Sequence, residues 1–270
     1  MATSIDNYLR TISYEKYYLK NSSTEVAAIN TSINNLLSNL NEFIGSRINR
    51  TLIFGSFDRD TILPRAVDKN SDVDIMVVFN HTEHERTPET YRAWLKSFAD
   101  KYYANRYGSA VLKTFPTVTI RLTNIHYDLV PAKVETYSFL PSTTYIPDKG
   151  NSWRPTNPKD VKDDLTAANT KYNSIVRPII RIMKAWNAFN DYPYDSYELE
   201  KEIIGMYFGG DTVQSGFFYA SRSLNTSWSD PVSKTEKINS LKFNLSKVEE
   251  CLNNNDVDRA KHWLHRIIPI

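Results

Sequence analysis

Apolar residues recur along this 270-residue chain in several rhythms, and each rhythm predicts a different element. In residues 23–44, Val26, Ile29, Ile33, Leu36, Leu40 and Phe43 alternate spacings of three and four, one face of a long helix with Ser23 and Thr24 as caps. RTLIF (50–54) and DIMVVF (74–79) are short β-branched and apolar runs, both strand-like. Residues 88–107 open with proline and carry Tyr91, Trp94, Leu95, Phe98 and Tyr102 as the apolar stripe of a second helix. In TVTIRLTNIHYDLVPA (117–132), Val118, Ile120 and Leu122 share one face, and Ile125, Tyr127 and Leu129 share another beyond the Thr123-Asn124 interruption. Two strands joined by a tight turn fit that pattern.

Residues 136–160, rich in Pro, Thr, Ser, Gly and Asn, read as a loop and a domain boundary. Beyond it the period is helical: Leu165, Tyr172, Ile175, Ile179, Ile182, Met183 and Trp186 recur at helix spacing, with Pro178 marking a kink or a new start. SYELEKEIIGMYF and the stretch 237–268 continue as helices. Strands thus concentrate in residues 1–150 and helices in 151–270, an α+β lobe followed by a helical lobe.

Composition changes this picture little. With 33 basic and 31 acidic residues the net charge is +2, so neither a polyelectrolyte tail nor stable duplex coating is expected. The single cysteine, Cys251, excludes an intrachain disulfide and points to a reducing compartment, the cytoplasm. The N-terminal segment lacks a long apolar core and no apolar run reaches a membrane-spanning length, so neither a secretory signal nor membrane insertion is expected.

The chemistry lies in one constellation. Side chains two apart on a strand share a face, so Asp72 and Asp74 present adjacent carboxylates while Val73 points away. Like charges so close repel, and their burial is costly unless a cation lies between them. Asp128, on the polar side of a later strand, adds a third carboxylate if that strand pairs beside the first. Three hard oxygen donors suit Mg²⁺, with Mn²⁺ as a substitute. A pair of ions roughly 3.5–4 Å apart activates an attacking hydroxyl and stabilises leaving pyrophosphate. Gly55-Ser56 ends an upstream strand, 15 residues before Asp72. Glycine allows close backbone approach to a ligand, and serine offers a hydroxyl to phosphate oxygens.

On GSFDRDTILPR, SDVDIMVVF, YDLVPA, DKGNSWRPTNPK, RIMKAWN and SYELE, the chain resembles the DNA polymerase β-like nucleotidyltransferases. Within them it is similar to the bacterial second-messenger oligonucleotide or dinucleotide synthetases (CD-NTases), relatives of cyclic GMP–AMP synthase and oligoadenylate synthase. The resemblance implies a nucleotidyltransferase lobe, a mixed or antiparallel sheet with flanking helices, packed on a C-terminal helical lobe with a cleft between. It implies metal binding and catalysis by Asp72, Asp74 and Asp128, and nucleotide contacts from Gly55, Ser56, Lys184, Ser196 and Tyr197. Taken on their residues alone, Lys184 also fits a snorkelling surface lysine and Tyr197 a core ring. Arg59 and Thr61 fit the family's loop, as ligand contacts or as braces for the turn. His126 reads as structural or solvent-facing. Asn157 stands where family members often carry Asp, which bears on product identity.

The implied activity is template-independent joining of NTPs or dNTPs into a cyclic or linear di- or oligonucleotide. That product is a signal in bacterial anti-phage defence, read by a separate effector protein. Two other readings stay open from the residues. The same chemistry would serve longer (deoxy)oligonucleotides, a tRNA end or a protein hydroxyl, with the 17 tyrosines as conceivable primers. A nucleotide-binding regulator without catalysis is the alternative of another class.

Overall fold

A computed structural model describes residues 3–83, 85–105, 108–137 and 140–270. The chain forms two compact units. One, here the sheet unit, comprises residues 22–59 and 70–160; the other, the helical unit, comprises 1–21, 60–69 and 161–270. The sequence reading draws one boundary after residue 150, whereas by contact 151–160 stay with the sheet unit and 1–21 and 60–69 group with the helical one.

In the sheet unit, β1 (Ile48–Phe54), β2 (Asp72–Phe79), β3 (Ala110–Leu112), β4 (Val118–Arg121) and β5 (His126–Tyr137) form the main path in the order β1-β2-β5-β4-β3. The β2–β5 pair is parallel; β1–β2, β3–β4 and β4–β5 are antiparallel. Central β2 is covered on both sides, which explains its nearly continuous apolar run. Met76 and Val78 join Ala132, Leu52, Phe54, Val134 and Ile146 on one face. On the other face Phe79 stacks on Tyr91, ring centroids 4.2 Å apart. Tyr91 belongs to the helix Pro88–Ala99, whose first turn Thr87 caps by accepting the N–H of Thr90. That helix runs on through a π-helical turn over Asp100–Ala104 and Asn105 is still helical; Arg106 and Tyr107 lie outside the described residues. The long helix Ser23–Ile44 buries Ile29, Ile33, Leu36 and Leu40 as its period predicts, but its N-cap position falls on Ser22.

The expected loop at 136–160 is a correction. Leu140–Asp148 (β6) pairs antiparallel with β5, and Ser152–Thr156 (β7) pairs with β6, extending the sheet. Prolines 141, 147 and 155 mask the strand signal, but proline is tolerated where one side of a strand is unpaired: β6 pairs with β5 only up to Tyr145 and with β7 only from Thr144, and among the described residues β7 pairs with β6 alone. Ser138 and Phe139, within that expected loop, lie outside the described residues.

The helical unit is built from Asp6–Glu15 (α1) and from Asp160–Lys171, Val176–Phe189, Ser196–Ile204, Val213–Ser223, Val232–Asn253 and Val257–Leu264. Pro178 sits in the first turn of Val176–Phe189, so it starts a new helix. Ile5, Leu9, Ile12 and Leu63 enter this unit's core beside Ile179, Met183 and Trp186, which is why two segments distant in sequence belong here. The 60–69 segment is held by polar contacts too: Arg181 donates to the Asp60 carbonyl at 3.1 Å, and Tyr192 donates to Asp68. No helix among the described residues is long and apolar enough to cross a membrane.

Candidate active site

In the parallel β2–β5 pair, Asp74 is the register partner of Asp128 and Asp72 that of His126. Partners in neighbouring strands project to the same side, so Asp72, Asp74, His126 and Asp128 share a face and Tyr127 and Leu129 turn into the core. Burial pushes the Tyr127 phenol up to about 12. Asp72, Asp74 and Asp128 are each half-buried, and one carboxylate oxygen from each lies within 4.8 Å of the others. Three negative charges at that separation repel, and a divalent cation relieves the repulsion while accepting hard oxygen donors. The donor set therefore fits Mg²⁺ or Mn²⁺ chemically.

Gly55 completes this corner. Phe54, the last residue of β1, is the register partner of Asp74, and the chain then turns sharply into the short helical segment Gly55–Asp58. Gly55 has φ +72°, and a β-carbon placed there would stand 1.9 Å from Asp74 Oδ2. The absent side chain leaves the room that the Asp74 carboxylate occupies. Ser56 follows, half-buried in the same turn. Arg59 is buried.

Asp128 has support that the sequence reading passed over. Thr119, its register partner on β4, donates to Asp128 Oδ1 at 2.5 Å. The available signal was the polar side of the predicted β4–β5 hairpin, where Thr119 alternates with core residues Val118 and Ile120.

The helical unit holds the other candidates. Lys184, on Val176–Phe189, is neither a surface lysine nor well exposed: at 8% exposure its ammonium lies 3.9 Å from Glu200 Oε2. Glu200 is fully buried and accepts a hydrogen bond from the Thr61 hydroxyl at 2.9 Å. Thr61 thus braces its segment from inside this unit, and Glu200 is a second residue the pattern analysis missed, its signal being a carboxylate on the apolar side of SYELEKEII. Asp195 caps that helix through the N–H groups of Tyr197 and Glu198, at 2.9 and 3.0 Å. Ser196 Oγ receives the Asn187 side-chain amide at 3.4 Å. Tyr197 is 45% exposed, which removes the core reading, and Lys201 lies 5.5 Å from its ring centre. Asn157 accepts the Lys159 N–H at 3.2 Å and donates to Asp160, a local turn at a helix start.

The Second Messenger Oligonucleotide or Dinucleotide Synthetase domain matches residues 4–169, more than half of the chain. The chain belongs to this family. A probable cyclic nucleotide synthase from Bacillus cereus (strain VD146) is 29% identical over 126 residues, covering 44% of this chain and 38% of that protein. The chain's match thus spans well under half the length of that curated relative. Among solved structures, the Bradyrhizobium diazoefficiens CD-NTase CdnG, in complex with GTP, aligns over 98% of this chain and 99% of that one at TM-score 0.70 and 10% identity. E. coli MS115-1 CdnC with ATP aligns over 97% and 96% at TM-score 0.64 and 12% identity. Likeness at such low identity carries the fold: the mixed sheet with flanking helices is that of the polymerase β-like CD-NTases.

Proposed function

We propose that the chain is a template-independent nucleotidyltransferase that joins NTPs into a cyclic or linear di- or oligonucleotide signal. The observation that carries this reading is the convergence of Asp72, Asp74 and Asp128 beside Gly55 and Ser56 in a chain of the synthetase family. The three aspartates hold the divalent ions, two in number. Such ions, when bound, supply charge neutralisation on the triphosphate and a lowered pKa for the acceptor hydroxyl. Gly55 leaves the backbone free to approach phosphate oxygens, and Ser56 donates its hydroxyl to them. In the helical unit, Lys184 and Ser196 act on the nucleotide's phosphates, and the exposed ring of Tyr197 stacks on a base. Lys184 is held by Glu200, so its ammonium is pre-placed rather than drawn from solvent on binding. Positioning and electrostatics carry most of the acceleration, because the chain's own groups form no covalent bond to the substrate. The product serves bacterial anti-phage defence in the cytoplasm and is read by a separate effector protein.

The test is incubation with a labelled equimolar NTP and dNTP mixture and Mg²⁺, with pyrophosphate release measured and products resolved by mass spectrometry. Small, protease-resistant nucleotide products are expected. Label that protease removes, or a ladder of long products, would replace the signal reading by another acceptor. Asp72→Asn with Asp74→Asn should lower turnover by about 10³-fold or more while folding is retained. Wild-type synthesis by that double variant would reject the assignment.

A further inference from the structure

Asp128 has a connected set of threonine hydroxyls behind it. Thr119 Oγ1 donates to Asp128 Oδ1 at 2.5 Å; the Thr114 hydroxyl lies 2.7 Å from Thr119 Oγ1 and 2.7 Å from Thr117 Oγ1. The direct Thr117–Thr119 separation is longer, 3.4 Å. A hydroxyl has one proton to donate, and an ionised carboxylate only accepts. Once Thr119 gives its proton to Asp128, the Thr114–Thr119 contact survives only if Thr114 is the donor. Thr114 must then accept from Thr117. One assignment satisfies all three short contacts, and it runs from Thr117 through Thr114 and Thr119 to Asp128. Donors chained in one direction polarise one another and strengthen the last bond. The chain is anchored at its far end as well, because Arg92 on Pro88–Ala99 donates to the Thr114 carbonyl at 3.1 Å and to Glu89 at 3.0 Å. Thr117 and Thr119 are themselves buried, so water competes weakly for these hydroxyls.

We propose that Thr119, backed by Thr114 and Thr117, is a positioning residue that holds the Asp128 carboxylate in the one orientation able to close the ion site with Asp72 and Asp74. This inference rests on the proposed metal role of Asp128. Its physical content is that a lone carboxylate beside two others swings away from them, and a donor fixed to one of its oxygens prevents that. Groups hydrogen-bonded to metal ligands typically change metal affinity or activity by about 10–100-fold when removed.

The experiment titrates Mn²⁺ into the nucleotide-free protein, followed by electron paramagnetic resonance, with turnover measured in parallel. Thr119→Val should weaken Mn²⁺ binding by about 10-fold and lower kcat by a similar factor, with the nucleotide KM within about twofold. Thr119→Ser, which restores the donor, should recover both to within about threefold. Wild-type Mn²⁺ affinity in Thr119→Val, including the case where only its melting temperature falls, overturns the positioning role. Asp128→Asn separates this outcome from failure of the function reading: if it loses Mn²⁺ while Thr119→Val does not, only the positioning role fails. If Asp128→Asn retains wild-type affinity, the metal reading itself falls. Should Thr119→Val not fold, Thr114→Val decides, with about threefold weaker binding expected and unchanged binding overturning the proposal.

Discussion

Replacing Gly55 by alanine perturbs the backbone and Asp74 together. At φ +72° an alanine occupies the left-handed region, at a cost of about 1–2 kcal/mol. Its β-carbon would lie 1.9 Å from Asp74 Oδ2, 2.8 Å from Cγ and 3.1 Å from Cβ. Recovering ordinary van der Waals separation requires the carboxylate to move by about 1.5 Å. Twisting Asp74 off its rotamer adds about 0.5–1.5 kcal/mol. The sum, about 1.5–3.5 kcal/mol, is within the stability of an ordinary domain, so Gly55→Ala should fold. Its turnover should fall about 100-fold, because a reacting constellation displaced by about 1 Å loses that much. Gly108 is the internal control: it has φ +65°, and among the described residues nothing beyond its own chain neighbours lies within 4 Å of a β-carbon built there. Gly108→Ala therefore carries the backbone cost alone, about 1–2 kcal/mol, with turnover unchanged. Urea denaturation gives the two stabilities and pyrophosphate release gives the two rates. Wild-type turnover in Gly55→Ala, or an equal rate loss in Gly108→Ala, would refute the contact with Asp74 as the reason for glycine.

Glu200→Ala should destabilise the protein by about 3–5 kcal/mol in urea unfolding, since it strands the buried Lys184 ammonium and the Thr61 hydroxyl; a loss below about 1 kcal/mol would mean that other groups hold the lysine. Tyr197→Ala should raise the nucleotide KM by about 5-fold or more, the equivalent of about 1–3 kcal/mol of stacking, with no change in melting temperature because the ring is already exposed. A wild-type KM would return Tyr197 to the surface. Below neutrality a further effect is expected. Burial, reinforced by the Lys133 ammonium, holds His81 below the ordinary imidazole range, and burial with His262 does the same for His265. The unfolded chain then binds more protons, so their contribution is intact above about pH 6.5 and is lost as pH falls through the lower folded values. Melting temperatures between pH 7.5 and 5.5 should fall less steeply in His81→Gln with His265→Gln; parallel profiles would count against the two imidazoles.

What was legible in the sequence follows the range of each physical signal. Alternation along a strand depends on neighbouring residues alone, so the shared face of Asp72 and Asp74, and the separation of Asp128 from Tyr127, were readable from local spacing. The buried stripes of Ser23–Ile44 and Pro88–Ala99 were equally local. The strands β6 and β7 were not, because prolines at 141, 147 and 155 carry a turn signal that is overridden where one side of the strand is unpaired: β6 pairs with β5 only up to Tyr145 and with β7 only from Thr144, and among the described residues β7 pairs with β6 alone. Lys184 looked like a surface lysine or a ligand contact because its partner, Glu200, sits on another helix.

By itself the sequence determined which side chains can share a face, where helices can run, and, through its motifs, the family. Only the tertiary structure decided that β2 and β5 run parallel with Asp74 level with Asp128, that Gly55 stands against the Asp74 carboxylate, and that Thr119 reaches Asp128. It also drew residues 1–21 and 60–69 into the helical unit. The reason is that periodicity fixes the direction of a side chain relative to its own backbone, whereas the partner and register of a strand are settled by burial among segments far apart in the chain.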